Sequence, residues 1–181
     1  MKKLIAALMS LCLILTAAAA LGETAEEAVE TEPIVVNWSD YEAAVEDVDG
    51  QFAQVSDTGL VMFIPAMFKD TELSDETLEG GTFLVLKSET EENVVVSAQY
   101  AAVDIALFKA GLASQGVTLY DVTLNGLPCC MFNVEGEGIV TSCVAFGTEQ
   151  GGTLVFGFAP SDQEPWASLF RVMAASIQPA E

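Results

Sequence analysis

Histidine is absent from this chain altogether. With it go the Ser-His and Cys-His nucleophile pairs and the histidine-ligated zinc centres that run most hydrolases. Positive charge is nearly as scarce: six Lys and Arg stand against 27 Asp and Glu, for a net charge of −21. Phosphate and anionic lipid are held by clustered basic side chains, and Lys69, Lys87, Lys109 and Arg171 are scattered singly. Nucleic acid is therefore excluded as a partner, and so is an anionic membrane surface, a retained leader aside. No G-x-S-x-G, S-x-x-K, G-x-x-x-x-G-K or G-x-G-x-x-G occurs, so neither a nucleophile elbow nor a nucleotide-binding loop is encoded. No catalytic, cofactor-binding or metal-binding residue set follows from the sequence, and no cofactor is expected. With two Trp and three Tyr, the chain also offers no visible aromatic platform for sugars.

What is present begins with a leader. Met1-Lys2-Lys3, an apolar stretch from Leu4 to Leu21 and small residues from Ala17 to Ala20 precede acidic sequence at Glu23. That order of positive, apolar and small residues is the pattern of a secretory signal. Cleavage after Ala20 or after Gly22 fits equally, and an uncleaved anchor is the rival reading, because eighteen apolar residues approach the ~20 of a bilayer span. Cys12 sits inside the apolar run rather than at its boundary, which argues against a lipid anchor. Residues 1–22 are thus expected to direct the chain to a secreted or cell-envelope location. Their removal leaves 27 acids against four bases, a net charge of −23. Residues 23–36 read as an acidic spacer, and 37–181 as a single globular domain, since about 160 residues make one domain rather than two.

Within that domain, Ser39 and Glu42 have the spacing of a capping box. Tyr41, Ala44, Val45 and Val48 then recur at helical spacing before Gly50, which predicts a short helix with Gly50 as its left-handed stop. Gln51–Ser56 and Leu60–Ile64 flank Asp57-Thr58-Gly59 as a hairpin. The acidic segment 70–81 reads as a loop with one helical turn. A second hairpin follows at Thr82–Ser88 and Val94–Tyr100, then a helix over Asp104–Gln115 that carries Ile105, Phe108 and Leu112 on one face and ends at Gly116. Asn125-Gly126 joins Val117–Leu124 to Leu127–Val134, and Ile139–Thr148 and Thr153–Ala159 complete a meander. Ser161 with Glu164 predicts the cap of a closing helix that has Pro165 in its first turn and a stripe of Trp166, Leu169, Phe170, Met173 and Ile177. The expected fold is α+β, an α/β/α sandwich of seven to eight mostly antiparallel strands. Its expected order is helix, four strands, helix, four strands, helix. Strands apolar at consecutive positions, such as Phe83–Leu86 and Val94–Val96, are those of a sheet covered on both faces.

The run Asp57 to Pro65, the central helix, the Asn125-Gly126 hairpin and the closing Phe170 to Ile177 resemble the PsbP/Mog1-like domains, over most of Trp38–Gln178. The resemblance implies an α/β/α sandwich and a non-enzymatic accessory or binding role of the kind held by exported bacterial members without assigned function. It transfers no site residues.

Four residue groups hold candidate chemistry. Cys129, Cys130 and Cys143 remain after the leader, so at least one has no partner within the molecule. A hairpin turning at Gly136-Glu137 would set Cys130 opposite Cys143 on a non-hydrogen-bonded pair, with Cα atoms about 4.5–5.5 Å apart, which allows a disulfide; three buried thiols are the alternative. Asp57-Thr58-Gly59 spells the aspartic-protease tripeptide, but a single copy between two strands reads as a turn. Asp47–Gly50 and the cluster Asp70, Glu72, Asp75, Glu76 and Glu79 are candidate sites for a weak calcium ion, with a solvated loop as the plain reading. The expected function is an exported non-enzymatic accessory or binding protein whose partner is an unknown protein or a cationic ligand. A small carboxylate-based hydrolase of envelope polymers and a calcium-responsive surface protein are the alternatives.

Overall fold

The computed structural model describes residues 34–180. The expected signal peptide at 1–22 and residues 23–33 of the expected spacer lie outside the described residues. In chain order the elements are β1 (Ile34–Val36), β2 (Gly50–Gln54), β3 (Leu60–Pro65), β4 (Phe68–Asp70), α1 (Asp75–Glu79), β5 (Thr82–Ser88), β6 (Val95–Ala101), α2 (Ile105–Ser114), β7 (Leu119–Leu124), β8 (Leu127–Gly136), β9 (Ile139–Gly147), β10 (Thr153–Ala159), α3 (Trp166–Ala175) and β11 (Gln178–Pro179). Eight strands form one sheet in the order β1-β7-β8-β9-β10-β6-β5-β4, antiparallel at every step except β1–β7, and β11-β3-β2 form a second sheet. The molecule is thus an α+β fold on a mostly antiparallel eight-stranded sheet.

The first expected helix does not form. Residues 38–45 make two short 3-10 turns, Trp38–Asp40 and Glu42–Val45, with no buried residue and no side-chain cap. A helix of about ten residues is marginal without a face to pack, and here Ala44 is exposed and Val45 and Val48 are only half-buried. Gly50 is accordingly no helix stop. It opens β2 opposite Pro65, where a Cβ would meet the Phe63 ring and stand 2.8 Å from the Ile64 carbonyl oxygen. The observed order therefore differs from the expected one in its first element. It differs again in that the β2–β3 hairpin leaves the main sheet to pair with β11. Alternation within a hairpin marks its own two strands but carries no information about a third. The expected spacer loses Ile34–Val36 for a similar reason: three successive apolar residues pair in parallel with β7, Ile34 opposite Val122.

The other elements follow local chemistry. Asp104 caps α2 by accepting a hydrogen bond from the Ala106 N–H at 2.8 Å, and Gly116, at φ +79°, turns the chain out of it. Ser74 caps α1 in the same way through Thr77. At α3 the expected capping box is not used. Pro165 takes the N-cap position, Ser161 Oγ donates to the Val140 carbonyl, and Glu164 reaches forward to Arg171 at 3.1 Å.

Two apolar clusters form the core, and neighbouring residues of β9 divide between them. Val144 and Phe146 join the larger cluster with Met62 of β3 and with Phe170 and Met173 of α3. Cys143 and Ala145 join the smaller one with Phe108 and Leu112 of α2. Asn125 secures the edge of this assembly. At φ +50° it begins the β7–β8 turn; its Oδ1 accepts from the Trp38 N–H, and its Nδ2 donates to the carbonyls of Ala175 at 2.8 Å and Ile177 at 2.7 Å.

Candidate functional site

A cavity of about 550 Å³ opens at one end of the larger cluster, within the size range of small-molecule sites. Its floor is a row of side chains from three adjacent strands. Leu154 of β10 lies in register with Tyr100 of β6 on one side and Phe146 of β9 on the other. Leu154 and Phe146 are buried, whereas Tyr100 is 38% exposed. Phe83 adds a wall from β5. It sits where the β5–β6 register shifts between Thr82 and Leu84, and such an irregularity re-aims a side chain out of the regular ladder. Leu127 and Pro128 form the opposite wall. The β8–β9 ladder extends only to Cys130 opposite Ala145, leaving this end of β8 apart from β9.

Two turns form the rim. In the β2–β3 turn, Thr58 Oγ1 donates to the Val55 carbonyl at 2.6 Å and accepts from the Leu60 N–H at 3.3 Å. Ser56 and Gly59 take left-handed conformations, with φ of 49° and 72°. Asp57 therefore stands at the tip of a turn whose hydroxyl is engaged internally. The β9–β10 turn is built alike: Thr148 Oγ1 accepts from the Gly152 N–H at 2.9 Å, and the Thr148 N–H donates to the Gly152 carbonyl at 2.8 Å. Glu149 and Gln150 project from its tip. Gly152 is required there, because a Cβ would collide with the Tyr100 ring. The cavity thus has an apolar, aromatic floor and a rim carrying two carboxylates, with no Lys or Arg among its lining residues. No ion pair among the described residues involves Asp57 or Glu149.

The three cysteines lie elsewhere, as buried free thiols. The β8–β9 hairpin turns at Glu137-Gly138, both with positive φ, and this sets Phe132 opposite Cys143 and Ala145 opposite Cys130. The expected turn at Gly136-Glu137 was one residue early, since the pair able to take left-handed geometry is Glu137-Gly138. Cys130 and Cys143 become diagonal rather than direct neighbours. Diagonal Cα atoms stand about 7–8 Å apart, at or beyond the span of a disulfide, so the bridge loses the geometry on which it was expected. Burial is the largest influence on each thiol. It pushes Cys143 from 9.0 up to about 12, and Cys129 also to about 12, where Cys130 and Asp121 add to the rise and a backbone hydrogen bond at Leu124 opposes it. Cys130 is raised by burial, with nearby Lys109 opposing. Thiols held protonated in this way are poor nucleophiles.

The candidate calcium residues do not converge. Asp47 and Asp49 follow the 3-10 turns on exposed chain, and Asp70, Glu72, Asp75, Glu76 and Glu79 are spread along β4, a linker and α1, all exposed. Among the described residues no group of three His, Cys, Asp or Glu could hold a metal ion, and no helix is long and apolar enough to cross a membrane. Of the sequence candidates, only Asp57 and Thr58 of the Asp57-Thr58-Gly59 turn line the cavity. Tyr100, Phe83, Phe146, Leu154 and Glu149 escaped sequence reasoning. Glu149-Gln150-Gly151-Gly152 was legible as a turn, but which turns share a rim depends on strand order.

No family model matches the chain, and no curated protein matches it. Among solved structures, the chain is similar to the solution structure of cyanobacterial PsbP (CyanoP) from Synechocystis sp. PCC 6803. The TM-score is 0.51 at 12% identity, over 88% of this chain and 98% of that one. A crystal structure from Bacteroides thetaiotaomicron VPI-5482 matches with a TM-score of 0.44 at 11% identity, over 68% of this chain and 46% of that one. The first of these likenesses gives the chain a PsbP-like fold.

Proposed function

We propose that this protein is an exported, non-enzymatic accessory or binding protein, an α/β/α sandwich that takes its ligand in the cavity beneath the Asp57 and Glu149 turns. The observation that carries the reading is the cavity itself, about 550 Å³ over an aromatic floor. A further feature supports it: the rim turns are tied by their own threonines, which presents a preformed opening. Export rests on the leader pattern of residues 1–22. The sandwich reading rests on the division of β9 between the α2 and α3 clusters.

A fragment screen followed by amide chemical-shift mapping tests the proposal. Binders are expected to shift Tyr100, Leu154 and the 147–150 turn together. Binders that shift only residues elsewhere would count against the cavity as the site. A second reading, a carboxylate-based hydrolase, is favoured by one observation: Asp57 and Glu149 border the same cavity. It predicts release of soluble fragments from envelope polymers, abolished by Asp57→Asn or Glu149→Gln. Under the binding reading, no fragments are released.

A further inference from the structure

We infer that the ligand of this cavity is an organic cation, an ammonium or guanidinium group carried on an apolar body; the inference rests on the binding reading above. The cavity carries two carboxylates and no basic side chain, and its other polar side chains, such as Ser56, Tyr100 and Gln150, are neutral. Asp57 and Glu149 reach it from two separate turns without an ion-pair partner among the described residues, and Thr58 and Thr148 have their hydroxyls engaged within those turns. Among the described residues no basic side chain lines the site. Lys69 pairs with Glu89, Lys109 with Asp121 and Arg171 with Glu164, while Lys87 stands opposite Lys69 across β4 and β5.

The floor suits the same chemistry. Phe83, Tyr100 and Phe146 present rings to the space, and a cation against an aromatic face gains about 0.5–1 kcal/mol when exposed and about 2 when desolvated. The rest of the floor is apolar, which rewards a body that can be buried and disfavours a bare metal ion with its water shell. An anion would meet two carboxylates and no countercharge, inside the field of a chain with a net charge of −21. A cleft lined by charge of one sign concentrates that field and draws the opposite charge. Two sources could supply such a group, a free small molecule or a Lys or Arg side chain of a partner polypeptide.

The test uses protein recovered from cells expressing the full chain and titrated by calorimetry with three probes. These are phenethylammonium, its neutral counterpart 2-phenylethanol, and an acetylated Gly-Arg-Phe-Gly amide. The expected result is that phenethylammonium or the arginine peptide binds at least tenfold more tightly than 2-phenylethanol. Asp57→Asn combined with Glu149→Gln is expected to remove that difference, and binding should weaken as salt is raised from 20 to 500 mM. Tighter binding of the peptide assigns the partner's side chain as the source; tighter binding of the amine assigns a free molecule. Should the double variant fold poorly, Gln150→Lys on the exposed rim provides the same test, with an expected loss of at least tenfold for the cation alone. Equal binding of 2-phenylethanol and the amine within the cavity overturns this inference and leaves the binding reading standing. Failure of every probe and every screened fragment to reach the cavity overturns both.

Discussion

Asn125 shows how much one side chain decides here. The sequence marks it only as the first residue of an Asn-Gly turn, yet its amide also connects Trp38 to the carbonyls of Ala175 and Ile177. Asn125→Gly keeps the left-handed turn and removes the amide, so it is expected to cost about 2–4 kcal/mol of unfolding free energy in denaturant melts. Asn125→Ala should cost about 1 kcal/mol more, because it adds the strain of a left-handed alanine. Equal costs for the two variants would show that the turn conformation contributes nothing. The buried thiols make a second prediction at this scale. Cys129 and Cys143 have folded-state values raised above 9.0 to about 12, so the folded chain holds these protons more tightly than the unfolded chain. Stability is then fully present below pH 9 and is lost as pH rises through the window from 9 to 12. At pH 10 the two thiols together should cost about 3 kcal/mol relative to pH 8. Chemical denaturation across that range checks it, and Cys143→Ala should remove about half of the slope.

Among the elements, three whose signals are local formed where expected. The Asp104–Gly116 helix, the Asn125-Gly126 hairpin and the β9–β10 pair each carry their own cap, turn or alternation. The 38–48 segment carried the same kind of signal and still did not become a helix, since its apolar residues have nothing to cover. Strand β1 is the reverse case, for Ile34–Val36 had no turn or periodicity to mark it and is held by pairing with β7 and by Val36 packed against the larger cluster. Val36→Asp should therefore detach β1 at a cost of about 1–3 kcal/mol. Hydrogen exchange would report it as lost protection at Val122–Leu124, with Phe108 to Leu112 of α2 unchanged. Loss of protection across both helices would instead make β1 part of the global unfolding unit.

At the scale of the whole molecule, charge is the dominant feature. A net −21 spread over a 19.1 kDa chain repels itself in the compact state. Salt shortens the Debye length from about 30 Å at 0.01 M to about 8 Å at 0.15 M, so the melting temperature should rise as NaCl is raised over that range. A melting temperature that falls instead would mean that surface ion pairs, such as the three among the described residues, outweigh the excess of acids. The same field bears on recognition, because the cavity opens in a molecule where three of the four basic side chains among the described residues are held in ion pairs.

The sequence alone determined the absence of histidine, the net charge of −21, most strand and helix positions, and the resemblance that the 0.51 superposition supports. All of these are properties of composition or of residues within one turn or one hairpin of each other. Tertiary structure decided the two-sheet division, the pairing of β1 and β11, the register separating Cys130 from Cys143, and the cavity. Tyr100, Leu154 and Phe146 become one floor only when β6, β10 and β9 lie side by side, and Asp57 and Glu149 share a rim only because the β2–β3 hairpin folds over that row. Tyr100 and Leu154 stand 54 positions apart and Asp57 and Glu149 stand 92 apart, where spacing along the chain no longer records distance in space.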